Sequence, residues 1–278
     1  VTQVDTPEFQ ELGRVGGVRL LAAGSGPTVV VFPGMEGSGE SCVRLASGVV
    51  LTGPGEGRLV LVDYGQERHR FLGALVETIA GLLELHVGRV PLTLWGQSFG
   101  NLLLAGVAPL VASAVRSTVL VSPFTGLPAG RVRLARAVLS VTPQALYSAT
   151  APVLSRGVFG PAPRGTGDEF FAVLGRMRVA DLRRRVGWLG GGDMAGLFQS
   201  LQGPVGVWFA DQDRLVDLPR QIAFFTALTR ALGGRVTVLD GCGHVVCPKK
   251  AIQVATQDIR DWLSSPSPAP GHAPAPTR

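Results

Sequence analysis

The chain has 278 residues, 46% of them hydrophobic and 17% charged, which is long enough for one large core and too apolar for general disorder. Its net charge of +6 rests on arginine, since Lys249 and Lys250 are the only lysines, and a basic balance attracts nucleic acid, anionic lipid or acidic substrates. No basic helix interleaved with aromatics and no nucleic-acid-binding signature accompanies the charge, so no nucleic-acid partner is expected.

The N-terminal VTQVDTPEFQELGRV has no basic segment followed by an apolar one, so no signal peptide is expected there. FQELGRV and VRLLAAG on either side of Gly16 and Gly17 predict a β-hairpin. Six short apolar runs follow: PTVVVFPG (27–34), RLVLVDYG (58–65), VPLTLWGQ (90–97), RSTVLVSP (116–123), GPVGVWFA (203–210) and RVTVLDG (235–241). Their continuous rather than alternating hydrophobicity predicts strands buried on both faces. Together with the hairpin they make an α/β fold, a mostly parallel eight-stranded sheet flanked by helices.

Between the runs, Phe71, Leu72, Leu75, Val76, Ile79, Leu82 and Leu83 recur at helical spacing, and His69 and His86 fall on this predicted surface helix. NLLLAGVAPLVASA (101–114), LPRQIAFFTALTRALGG (218–234) and AIQVATQDIRDWL (251–263) predict three further helices. The most apolar stretch, 90–115, is interrupted by Gln97, Ser98 and Asn101, so no integral membrane segment is expected.

Residues 124–202 hold helical patterns and many arginines but no convincing strand. They predict a helical cap inserted into a core formed by 1–123 and 203–263, with a disordered Pro/Ala-rich tail over 264–278. Leu134, Leu139, Leu146, Phe159, Phe170, Phe171 and Leu174 are expected to line or cover an apolar site. LRRRVGWLGGGD (182–193) reads as a solvated cap face, with an arginine cluster for an anionic group as the alternative.

One stretch carries chemistry. GQSFG (96–100) sets Ser98 on a turn between a predicted strand and a predicted helix, where Gly96 and Gly100 allow the two elements to approach. With 38 glycines in the chain the pattern is weak alone, so its context decides. A serine hydroxyl needs a base to take its proton and a carboxylate to orient that base. His244 lies in the loop after the last strand, the edge at which Ser98 emerges, and the loop after GPVGVWFA offers Asp213, with Asp211 as its competitor. An attacked carbonyl also needs backbone N–H donors; Phe99 follows the serine directly, and Met35 lies in the turn forced by Pro33-Gly34. Cys42, Cys242 and Cys247 are too few for a disulfide framework and point to a reducing, cytoplasmic location. CGHVVC (242–247) falls short of a metal pattern, so neither metal nor cofactor is expected.

These motifs, in this order, resemble the α/β-hydrolases over roughly residues 10–263: GQSFG as the nucleophile elbow, FADQDRLV as the acid loop and GCGH as the histidine loop. The loop PGMEGSG, where the family usually has His-Gly, is similar to a form found in some bacterial hydrolases and plant acyl-ester synthases, and Asn101 stands where a second glycine is common. The resemblance implies a catalytic triad of Ser98, Asp213 and His244, with oxyanion donors at Met35 and Phe99. It implies a small-molecule ester or thioester substrate with a largely apolar acyl group. Transfer of the acyl group to an alcohol, and a non-catalytic ligand-binding module on the same fold, are the alternatives.

Overall fold

The computed structural model describes residues 7–51, 57–161, 166–191 and 194–245. The expected helix 251–263, the tail, and Cys247, Lys249, Lys250 and His272 lie outside the described residues. Strands β1 (Gln10–Val15) and β2 (Val18–Gly24) form the predicted hairpin, and Gly16 and Gly17 both take positive φ, as a tight two-residue turn requires. The other strands are β3 (Thr28–Phe32), β4 (Arg58–Asp63), β5 (Leu92–Gln97), β6 (Val115–Val121), β7 (Val205–Ala210) and β8 (Arg235–Leu239). All eight join one sheet in the order β1-β2-β4-β3-β5-β6-β7-β8, in which β2 is antiparallel to both neighbours and every later pairing is parallel.

Every residue of β3, β5 and β7 is buried, because helices cover the sheet on both sides. On one face Leu94, Leu120 and Phe209 meet Leu75, Ile79 and Leu83 of α2 (Leu72–His86), Leu103 of α3 (Gly100–Val107) and Phe225 of α9 (Leu218–Leu232). The opposite face sets Val31, Trp95 and Trp208 against Leu45, Ala46 and Val49 of α1 (Glu40–Val50), and the two indoles stack edge to face at 5.4 Å. Helix α9 is bounded as its sequence predicts: Asp217 accepts the Arg220 N–H at its start, and Gly233 takes φ 75° at its end. Helix α3 is shorter than expected, stopping at Val107 instead of Ala114: Ala108 still has helical backbone and bonds to Leu104 O, but Pro109 has no N–H to continue the ladder. His86 does end α2, whereas His69 precedes that helix.

Between β6 and β7 run α4 (Ala129–Val141), α5 (Gln144–Phe159), α6 (Thr166–Arg176), α7 (Val179–Trp188), a 3-10 turn at Leu189–Gly191 and α8 (Ala195–Gln199). Tyr147, Phe170, Phe171, Leu174 and Met177 make a small core there that includes Val245, the neighbour of His244. Leu139 and Phe159 pack against it, but Leu134 and Leu146 face solvent, because the inner sides of their helices belong to Val132 and to Tyr147 with Ala151. Phe198 of α8 packs instead on Phe225, inside the main core.

Parallel pairing has one consequence for chemistry. The loops after β3, β5, β6, β7 and β8 all leave the sheet at the same edge, and they carry Met35, Ser98, Ser122, Asp213 and His244.

Candidate active site

Ser98 follows β5 with φ 52°, a left-handed conformation that costs a non-glycine residue about 1–2 kcal/mol. Its neighbours hold it there. The Ser98 N–H donates to the Val121 carbonyl at 2.9 Å, and Asn101 Nδ2 bridges the carbonyls of Ser98 and Val121, each at 2.9 Å. A Cβ at Gly96 would lie 2.9 Å from Asn101 Cα, and one at Gly100 would lie 2.2 Å from the carbonyl oxygens of Phe32 and Pro33. Both positions therefore require glycine, and Asn101 replaces a second glycine by pinning the turn with its amide.

From this turn Ser98 Oγ reaches His244 Nε2 at 2.7 Å, and His244 Nδ1 reaches Asp213 Oδ2 at 2.7 Å. A carboxylate only accepts, so Nδ1 carries the imidazole proton and Nε2 is left to accept from the serine hydroxyl. The second Asp213 oxygen accepts the Leu215 N–H at 2.8 Å. Histidine and aspartate are both buried, while Ser98 is half-buried. Asp211 points elsewhere: its Oδ1 accepts the Cys242 N–H at 3.1 Å, and backbone donors led by Gly241 hold its carboxyl below the usual range. Of the two candidate acids, Asp213 meets the histidine and Asp211 braces the loop that bears it.

The histidine backbone is fixed from two sides. Phe159, the last residue of α5, accepts the His244 N–H at 2.7 Å and sets its ring 5.5 Å from the imidazole. Ser122, the other non-glycine residue with positive φ (46°) among the described residues, donates its hydroxyl to the His244 carbonyl at 2.9 Å. No local pattern marked Ser122 for this role, since its partner is 122 positions away.

Neither the Met35 nor the Phe99 N–H has a protein acceptor among the described residues. The Met35 turn is closed by the Gly37 N–H on the Gly34 carbonyl at 3.1 Å, and the buried Tyr64 hydroxyl donates to Pro33 O at 2.6 Å or to Gly34 O. Burial pushes the Tyr64 phenol well above its ordinary range, so it stays a donor. Trp188 of α7 stacks on Phe99 with ring centroids 6.1 Å apart.

The arginine run departs from its expectation. Arg185, wholly buried, donates Nη1 to Met35 O at 2.5 Å, Nη2 to Tyr64 O at 2.6 Å and Nε to the buried Glu67 at 3.2 Å. Arg184 joins the same carboxylate at 2.7 Å. Two of the three arginines thus turn towards Glu67, which carries no motif but supplies their counter-charge, and Arg185 alone latches onto the Met35 turn. Cys42 and Cys242 are both buried, and burial pushes the Cys42 thiol well above its ordinary value. Among the described residues no group of three or more His, Cys, Asp or Glu is placed to hold a metal, and no helix is long and apolar enough to cross a membrane.

The sequence matches a model of the Alpha/beta hydrolase family over residues 9–252, and the chain belongs to that family. Among solved structures it is similar to an esterase from Rhodococcus sp. (TM-score 0.69, 20% identity, covering 92% of this chain and 98% of that one). A bromoperoxidase from Bacillus anthracis (TM-score 0.72, 13% identity, 93% and 100% covered) and an enol-lactonase from Burkholderia xenovorans (0.69, 14%, 90% and 98%) share the fold. A search of curated proteins finds no match to the sequence.

Proposed function

We propose that this hydrolase cleaves carboxylic esters or thioesters of largely apolar acyl groups through an acyl-enzyme on Ser98, with Asp213 and His244 completing the triad. The observation that carries the reading is the unbroken chain Ser98 Oγ, His244, Asp213, with both links at 2.7 Å, beside two N–H groups without acceptors among the described residues. The names of similar structures, an esterase and an enol-lactonase, agree with ester-bond chemistry.

In the first half-reaction His244 Nε2 takes the Ser98 proton as Oγ bonds to the acyl carbon. Met35 and Phe99 N–H groups receive the oxyanion. Collapse of the tetrahedral adduct breaks the bond to the leaving alkoxide or thiolate, which takes the proton from Nε2. Water, deprotonated by the same nitrogen, then attacks the acyl carbon, and Ser98 departs with its proton restored. Asp213 keeps Nδ1 protonated throughout and stabilises the imidazolium between steps. Helices α4–α7 serve as the cap, with Phe159 and Trp188 as apolar walls beside the histidine and the oxyanion donors.

The test is covalent labelling with a fluorophosphonate ester, read by intact mass and peptide mapping. A single adduct on Ser98, absent in Ser98→Ala and about a hundredfold or more slower in His244→Ala, is the expected result. A folded wild-type chain that takes no adduct refutes the reading.

A further inference from the structure

Helices α4 and α5 are apolar on two sides. Their inner sides pack through Val132 and through Tyr147 with Ala151. On the outer side of α4, Leu134, Val138 and Val141 recur at i, i+4 and i+7 as one stripe. Leu146, Val153, Leu154 and Val158 form another stripe on α5. These seven side chains are 49–80% exposed, and they supply most of the large apolar exposure among the described residues. Exposed apolar surface on this scale marks a contact.

The charge pattern selects what covers it. No Asp or Glu occurs anywhere between Glu84 and Asp168, whereas Arg131, Arg133 and Arg136 lie on α4 and Arg156 on α5. Arg131, Arg133 and Arg136 are exposed and form no ion pair among the described residues; Arg131 and Arg133 border the apolar stripe, with Arg131 donating Nη1 to the Leu215 carbonyl at 3.4 Å, whereas Arg136 lies on the other side of α4, towards Gly187 of α7. A second copy docking through the same face sets arginine against arginine, because a twofold interface brings like surface to like. A lipid surface bearing anionic headgroups accepts the guanidinium groups while its acyl boundary takes the leucines and valines.

We propose that the outer faces of α4 and α5 seat this protein on an anionic lipid surface. The contact adjoins the chemistry, since α5 ends at Phe159, which accepts the His244 N–H and lines the imidazole. The seating itself is independent of whether Ser98 is the nucleophile.

Co-sedimentation of the full chain with vesicles of phosphatidylcholine alone, or mixed with phosphatidylglycerol, tests it. Binding is expected to the mixed vesicles, to weaken as salt rises, and to be weak on phosphatidylcholine alone. The pair Leu154→Ser and Val158→Ser lowers the partition coefficient about tenfold or more, and Arg131→Gln with Arg133→Gln removes most of the preference for anionic vesicles. Circular dichroism and thermal melting establish that both exposed pairs leave the fold intact. No binding to mixed vesicles, or binding indifferent to charge or to either pair, overturns the proposal. So does a dimer in gel filtration that the serine pair dissociates, which assigns the face to a second copy.

Discussion

Ser98, His244 and Asp213 come together from three loops, and what distinguishes Asp213 from its neighbour two positions earlier is hydrogen bonding alone. Asp213 faces the imidazole and the Leu215 N–H; Asp211 faces the backbone of the turn after β8. Asparagine at 213 removes the acceptor that fixes the tautomer. Asp213→Asn is therefore expected to lower kcat by about two to four orders of magnitude with little change in KM. Asp211→Asn leaves kcat within about twofold, because its amide oxygen still accepts the Cys242 N–H. Steady-state kinetics of both variants on one soluble ester decide the matter; equal losses would contradict the assignment. At this scale Ser98, His244 and the Asp211/Asp213 pair were legible in the sequence, since each follows an apolar run at a chain order the chemistry needs. Ser122, Tyr64 and the second role of Asn101 were not, because hydroxyl and amide contacts across 20 to 122 positions leave no local pattern.

Elements, once placed, act on the site through few contacts, and α7 shows it best. It delivers Arg185 to the Met35 and Tyr64 carbonyls and to Glu67, so a helix from the segment between β6 and β7 holds the turn that bears the Met35 N–H. Removing one member of a buried charge pair costs about 3–5 kcal/mol, chiefly because the partner charge stays buried. Arg185→Met should thus destabilise the chain by about that amount, and Glu67→Gln added to it should restore part of the loss. Urea unfolding of the single and double variants measures this; an unaltered midpoint in Arg185→Met would show that the latch does not hold the folded state. Helical periodicity located the segment that carries Arg185 but could not orient it. Three consecutive arginines span three helix faces, and only the position of Glu67 selects the inward ones. The same limit explains Leu134 and Leu146: both helices are apolar on two sides, so pattern alone does not say which side turns in.

Across the whole molecule, both tyrosines of the chain lie in buried settings. Burial raises Tyr64 well above its ordinary value and Tyr147 to about 12. An unfolded tyrosine ionises near pH 10. Between that pH and the folded values the unfolded chain binds fewer protons, so stability falls as pH rises and is intact below about 10. Tyrosinate absorbance is accordingly expected to appear together with the loss of circular dichroism, as one alkaline transition. Ionisation near pH 10 in a chain that keeps its ellipticity would show that the phenols are open to solvent.

The sequence by itself determined the α/β alternation, the eight strands, the glycine-flanked turn and the order serine, acid, histidine, because strand burial and turn sterics are local properties written in short windows. Tertiary structure alone decided which carboxylate meets the imidazole, which arginines point inward, and which apolar faces remain in solvent. Those outcomes depend on hydrogen bonds and counter-charges between loops that parallel pairing gathers at one edge of the sheet, and no window of sequence spans that distance.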